Sequence, residues 1–271
     1  MKSYEIYDND NRLEIGCLLY YEKDKCFIVE LKDSIDEWTA PLLFSGFVKK
    51  GIYTIPRDIS FLWVKERVIP SGRQNIGMIL KNHKLSEYDE MKFMEISEGR
   101  SSQDGMSVKR TDTLPGYVQS RMNKNLSGAF ATEGRTCICF FANDTARRID
   151  LNELRDINGV DKIIANDKLF GSIRLGAGGY YLTFNDSIDI PAQVLYSTGE
   201  KLNVTKNDFK AFARNNIMDT SETGEILSCS RQNISSDIFW QCIGRTTFNN
   251  STGFSQTSPM KSGMNTRKST P

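Results

Sequence analysis

The stretch Arg12-Leu-Glu-Ile-Gly-Cys-Leu-Leu-Tyr-Tyr-Glu-Lys-Asp-Lys-Cys-Phe-Ile-Val-Glu-Leu31 reads as a β-hairpin. Leu13, Ile15, Cys17 and Leu19 alternate with other residues at the period of a strand. Glu22-Lys23-Asp24-Lys25 is a polar turn, and Cys26-Phe27-Ile28-Val29 opens the return strand. Working outward, Pro41 and Gly51 punctuate a less regular stretch. The apolar run Phe61 to Val68 reads as a helix stopped by Pro70. Ser71 is expected to cap a helix through Ile76, Ile79 and Leu80. Ser86 is expected to cap another, with Glu87, Asp89 and Glu90 in its first turn and Met91, Phe93 and Met94 inward. A hairpin followed by short helices makes residues 1–109 a small α+β module.

Gly99 to Gly134 carries turn chemistry, as in Leu114-Pro115-Gly116, and residues 110–134 are expected to be a linker. A second small α+β domain is expected over residues 135–200. Thr136 to Phe141 reads as a strand, Arg147 to Asp150 as a second, and Leu151 to Ile157 as a short helix. Phe170 to Leu175 and Tyr180 to Phe184 read as strands joined by a Gly176-Ala-Gly-Gly179 hairpin loop. Ser187 to Tyr196 reads as a short helix that tolerates Pro191 in its first turn. The pattern turns helical from Asn207. Residues 247–271 contain no Ile, Leu or Val, so the tail is expected to be disordered. The fold class is α+β: two small modules, a short helical segment over 205–246 and a tail.

Composition bounds function broadly. Apolar residues make up 39% and charged residues 25%, and the formal net charge is +1, so no basic field covers the whole chain. Residues 201–271 nevertheless hold nine Lys or Arg against five Asp or Glu, and an anion-binding role fits there best. The N-terminus lacks the basic and apolar regions of a secretory signal, and no apolar run approaches the ~18 residues of a membrane helix. The six cysteines are dispersed, which reads as reduced thiols in a cytoplasmic protein.

Candidate catalytic sites read weakly. His83 is the single histidine, there is no Cys-x-x-Cys, and Cys137 and Cys139 share one strand face as small hydrophobes. Gly176 to Gly179 lacks the Lys-Ser/Thr of a phosphate loop, and Asp186 and Asp189 flank a helix entrance without marking an acid–base pair. The chain is therefore expected to be no enzyme, and to need neither a cofactor nor a metal.

The segment Met218-Asp-Thr-Ser-Glu-Thr-Gly-Glu-Ile-Leu-Ser-Cys-Ser-Arg-Gln-Asn-Ile234 carries the leading functional expectation. Thr220 can cap one short helix and Ser230 a second, across the turn at Ser228-Cys229. The second helix would begin with Arg231, Gln232 and Asn233. Arg can bond guanine O6 and N7, while Gln or Asn can bond adenine N6 and N7; Ser230 suits a phosphate. The arrangement resembles the helix-turn-helix of bacterial excisionase-like and MerR-like proteins, which implies DNA binding through Thr220, Ser230, Arg231, Gln232 and Asn233. The bland alternative is a helical hairpin that only packs.

Two further resemblances concern the modules. Pro56-Arg-Asp-Ile-Ser-Phe-Leu-Trp-Val-Lys-Glu-Arg-Val-Ile-Pro-Ser-Gly-Arg73, continuing to Glu98-Gly-Arg100, looks like the N-terminal subdomain of HipA-type toxin kinases. The kinase core is absent, so no phosphoryl transfer is implied. Residues 137–200 are similar to a small uncharacterised bacterial α+β domain of no known activity. Together these imply a DNA-binding regulator of a toxin–antitoxin or mobile-element locus. The alternative is a non-catalytic module that binds a partner protein through its first two domains.

Overall fold

The computed structural model describes residues 1–208. Strands β1 (Lys2–Asp8), β2 (Leu13–Tyr21) and β3 (Cys26–Leu31) form an antiparallel meander. Helix α1 (Leu42–Val48), strand β4 (Thr54–Ile55), helices α2 (Arg57–Lys65), α3 (Ile76–Asn82) and α4 (Glu90–Ser97), and strand β5 (Met106–Thr111) complete the N-terminal module. Its sheet runs β4-β3-β2-β1-β5.

The hairpin expectation holds, and β1, which alternation did not single out, lies at its side. The two faces of this sheet have different neighbours. Tyr4, Ile6, Leu18, Tyr20, Phe27, Val29 and Leu31 pack under Phe44, Trp63, Val64, Met91 and Met94 of the helices. The alternate residues Cys17, Leu19, Cys26 and Ile28 pack against Val118, Ala177, Tyr180 and Tyr181. A strand buried on both faces loses its polar alternation, which is why Leu18 and Leu19, or Phe27 and Ile28, are all apolar.

Helix α5 (Gly116–Met122) and strand β6 (Leu126–Ala131) follow, and residues 110–134 are therefore not a linker. Strand β6 pairs with β7 (Thr136–Phe141), which pairs with β8 (Ala146–Asp150). A 3-10 turn (Leu151–Leu154), α6 (Val160–Ala165), α7 (Asp167–Gly171), β9 (Ile173–Leu175), β10 (Tyr181–Phe184), β11 (Ile188–Pro191), α8 (Ala192–Thr198) and β12 (Glu200–Leu202) complete the second module. Its sheets run β12-β8-β7-β6 and β11-β10-β9. The second module thus begins at β6 rather than at Arg135. Both helices and antiparallel sheets are present in quantity, so the fold class is α+β.

Local starts and stops differ from the expectations in instructive ways. Helix α4 is capped by Asp89, whose carboxylate accepts from the Lys92 N–H at 2.9 Å, and not by Ser86. Helix α3 follows Asn75, four positions beyond the cap expected at Ser71, because Pro70 to Ile76 is spent on successive turns. Helix α2 begins right after Pro56 and ends at Lys65, short of Val68. Phe170 belongs to α7, and β9 spans only Ile173–Leu175. Residues 188–191 form β11, so Pro191 precedes α8 instead of lying inside a helix that starts at Ser187. The glycine loop does join two antiparallel strands, β9 and β10. Cys137 and Cys139 are both fully buried on β7, and Cys17 and Cys26 are free thiols on the N-terminal sheet.

Two glycines are required by close approach. A Cβ on Gly16 would collide with the Glu30 carbonyl of β3. Gly179 has φ +71°, and a Cβ there would strike the Leu126 carbonyl of β6. No helix among the described residues is long and apolar enough to cross a membrane. Gly16→Ala is expected to cost about 2 kcal/mol, because the obstacle is backbone that cannot rotate away. Urea unfolding followed by circular dichroism measures it; a loss under a few tenths of a kcal/mol would contradict the β2–β3 packing described.

Candidate functional site

A cleft lies along the seam where the second face of the N-terminal sheet meets the second module. Three stretches build the seam around it. Strand β4 and the first residue of α2 bring Thr54 and Arg57; Pro56 sets the helix entrance between them. Helix α5 opens after Pro115 and turns Tyr117, Val118 and Arg121 onto one face by their three- and four-residue spacing. Strand β11 and helix α8 supply Asp189 and Gln193.

The deepest charge is Glu30, fully buried on β3. Its Oε2 accepts from Arg121 Nη1 at 2.6 Å and from the Thr54 hydroxyl at 2.9 Å. Arg121 also pairs with Asp33 and lies 5.5 Å and 5.4 Å from the ring centres of Tyr53 and Tyr117. Burial raises the Glu30 carboxyl above the ordinary glutamate range, and the Arg121 charge opposes that rise. Burial likewise drives the Tyr180 phenol far above its usual range, with the neighbouring Glu30 charge adding to the effect.

A second polar bridge crosses the seam at Arg57. Its Nε lies 2.6 Å from Asp189 Oδ2, while Nη2 donates to Asp189 Oδ1 at 3.1 Å and to the Asp186 carbonyl at 2.9 Å. Nη1 donates to the Tyr181 hydroxyl at 3.2 Å, and the guanidinium sits 4.8 Å from the Tyr181 ring centre. A third bridge is neutral: Gln193 Nε2 donates to Thr54 Oγ1 at 2.7 Å. Through Thr54 this amide is linked to Glu30 and Arg121. Asn125 Nδ2 donates to the Gly178 carbonyl at 3.1 Å and closes the seam at the glycine loop.

Between these bridges lies a cavity of about 410 Å³ walled by Ile28, Ile52, Ile55, Ile157 and Val194. Its acids and bases are matched to one another, and Cys26, with its Sγ 3.7 Å from the Tyr181 hydroxyl, is raised above the usual thiol range by burial. His83 is exposed at the end of α3 and does not line the cavity. No group of three His, Cys, Asp or Glu able to hold a metal occurs among the described residues.

Thr220, Ser230, Arg231, Gln232 and Asn233 all lie outside the described residues, as do Cys229, Cys242 and the tail expected over 247–271. Sequence reasoning did not single out Glu30, Arg57, Arg121 or Gln193. Glu30 did carry a signal: a carboxylate inside the apolar run Cys26 to Leu31, at a position that shares its face with Cys26 and Ile28. Comparison of the chain with protein-family profiles, curated proteins and solved structures finds no match.

Arg121→Met strands the Glu30 carboxylate and is expected to cost about 3–5 kcal/mol at pH 7. Because Glu30 has a raised pKa in the folded chain, its charge weighs against folding above that pKa. The loss should therefore shrink as the pH falls toward 5 and the buried carboxyl takes up a proton. Urea unfolding at both pH values measures this. An equal loss at both would mean that Glu30 is not the group left unpaired.

Proposed function

We propose that this chain is a non-catalytic protein-interaction module whose partner docks on the corner of the N-terminal module that presents Trp38 and Leu42. The supporting observation is their exposure: Trp38 is 86% exposed and Leu42 92% exposed, four residues apart in the chain. Large apolar side chains left in water cost free energy that a partner recovers, and tryptophan is enriched among residues that dominate binding. The loop is also held in place before any partner arrives. The Asp36 carboxylate accepts from the Trp38 N–H at 3.0 Å, the Thr39 N–H at 2.8 Å and the Thr39 hydroxyl at 2.8 Å. Those bonds lower the Asp36 pKa, so the turn keeps its acceptor throughout the neutral range. The resemblance of Pro56 to Arg100 to part of a toxin kinase favours a kinase of that class as the partner.

A second reading has its own observation. Residues 220–234 set Arg231, Gln232 and Asn233 directly behind Ser230, within a stretch of surplus positive charge, which favours DNA as a further partner of a cytoplasmic regulator.

The two readings separate experimentally. For the first, Trp38→Ala/Leu42→Asp should weaken binding to a HipA-type toxin kinase at least tenfold by calorimetry while leaving the melting curve unchanged. Unaltered affinity would remove the proposed corner from consideration. For the second, polarisation of DNA from upstream of its own gene should show saturable binding by the full chain. Arg231→Ala/Gln232→Ala should cost about 1–3 kcal/mol per lost base contact; unchanged binding would exclude those side chains from the contact.

A further inference from the structure

We infer that the seam cavity is a binding site for a small, neutral, largely apolar molecule that bridges the two modules. Position is the first argument. The cavity lies between two strands that are each the outermost of their sheet, β4 of the five-stranded sheet and β11 of the three-stranded sheet. A body seated there touches both modules at once. Its volume of about 410 Å³ falls in the range of about 300–1,000 Å³ typical of small-molecule sites.

Charge matching supplies the ligand's chemistry. Arg57 is already met by Asp189 on two nitrogens, by the Asp186 carbonyl and by the Tyr181 hydroxyl. An anion would have to displace Asp189 to reach it, and a cation would have to displace Arg57 to reach Asp189. Asp58, the other charge at the cavity, is exposed in the first turn of α2, where the helix end favours it. Thr54 and Gln193 are bonded to each other, and Thr54 also to Glu30. Among the described residues of the lining, the Tyr180 hydroxyl is buried without a hydrogen-bond partner; the rest of what the walls leave unmatched is apolar surface: Ile28, Ile52, Ile55, Ile157 and Val194. A neutral apolar body gains from that surface without breaking a bridge.

This site is separate from the corner bearing Trp38 and Leu42, and the test keeps them apart. The full chain is titrated with N-phenyl-1-naphthylamine, a neutral probe whose emission rises and shifts to the blue in apolar surroundings. Saturable binding at one site is expected. Val194→Trp and Ile157→Trp should each weaken it at least tenfold by filling the cavity, with the circular dichroism melt as the folding control. Ile52→Trp fills the rim from a position already 38% exposed, so it folds even if the deeper substitutions do not, and it should weaken binding as well. Trp38→Ala should bind the probe as the parent chain does. The sulfonated analogue 8-anilinonaphthalene-1-sulfonate should bind at least tenfold more weakly than the neutral probe. Non-saturable binding, or parental binding in the folded cavity variants, would overturn the site; tighter binding of the sulfonate would overturn the neutral chemistry assigned to its ligand.

Discussion

Strand β3 turns Phe27, Val29 and Leu31 to one side and Cys26, Ile28 and Glu30 to the other, and neither side can be left to water. The first side is covered locally, by helices that follow in the chain. The second is covered by residues about 90 to 150 positions away, on α5 and around the glycine loop. The features of the seam follow from that second covering. Glu30 is buried by it and so requires Arg121; Tyr180 and Tyr181 are drawn in by it; the cavity is the part of it that the two modules do not fill. The Glu30–Arg121 pair adds little net stability over an apolar pair of the same shape, since desolvation consumes most of the attraction. What it supplies is selectivity of docking: a shifted seam would leave both charges unmet.

Much of this was legible in the residues. The β2–β3 hairpin, the inward set Met91, Phe93 and Met94, the two buried cysteines of β7 and the glycine turn between β9 and β10 all follow from local periodicity and turn chemistry. The failures share a cause. Residues 110–134 read as a linker because Leu114-Pro-Gly116 and Ser127-Gly128-Ala129 look like loop composition. Yet Pro115 starts α5, and Gly179 of the glycine loop lets that loop approach the Leu126 backbone of β6 closely. Long-range contact, not local propensity, fixes that segment. In the same way, Asp189 reads as a helix-entrance acid until Arg57, 132 positions earlier, is placed against it. Seam residues are invisible to any rule that looks only a few positions along the chain, except where, as with Glu30, a charge interrupts an apolar run.

The segment 110–134 also determines how this chain can be divided. A fragment ending at 109 would keep the helices over one side of its sheet and bare Cys17, Leu19, Cys26, Ile28 and an uncompensated carboxylate on the other. A fragment starting at 135 would lack β6 and leave β7 an open edge, prone to pairing with its neighbours in solution. For recombination between genes the consequence is plain: the boundary suggested by composition would yield two sticky halves. The stretch from β1 to β12 is therefore expected to be exchanged only as one block.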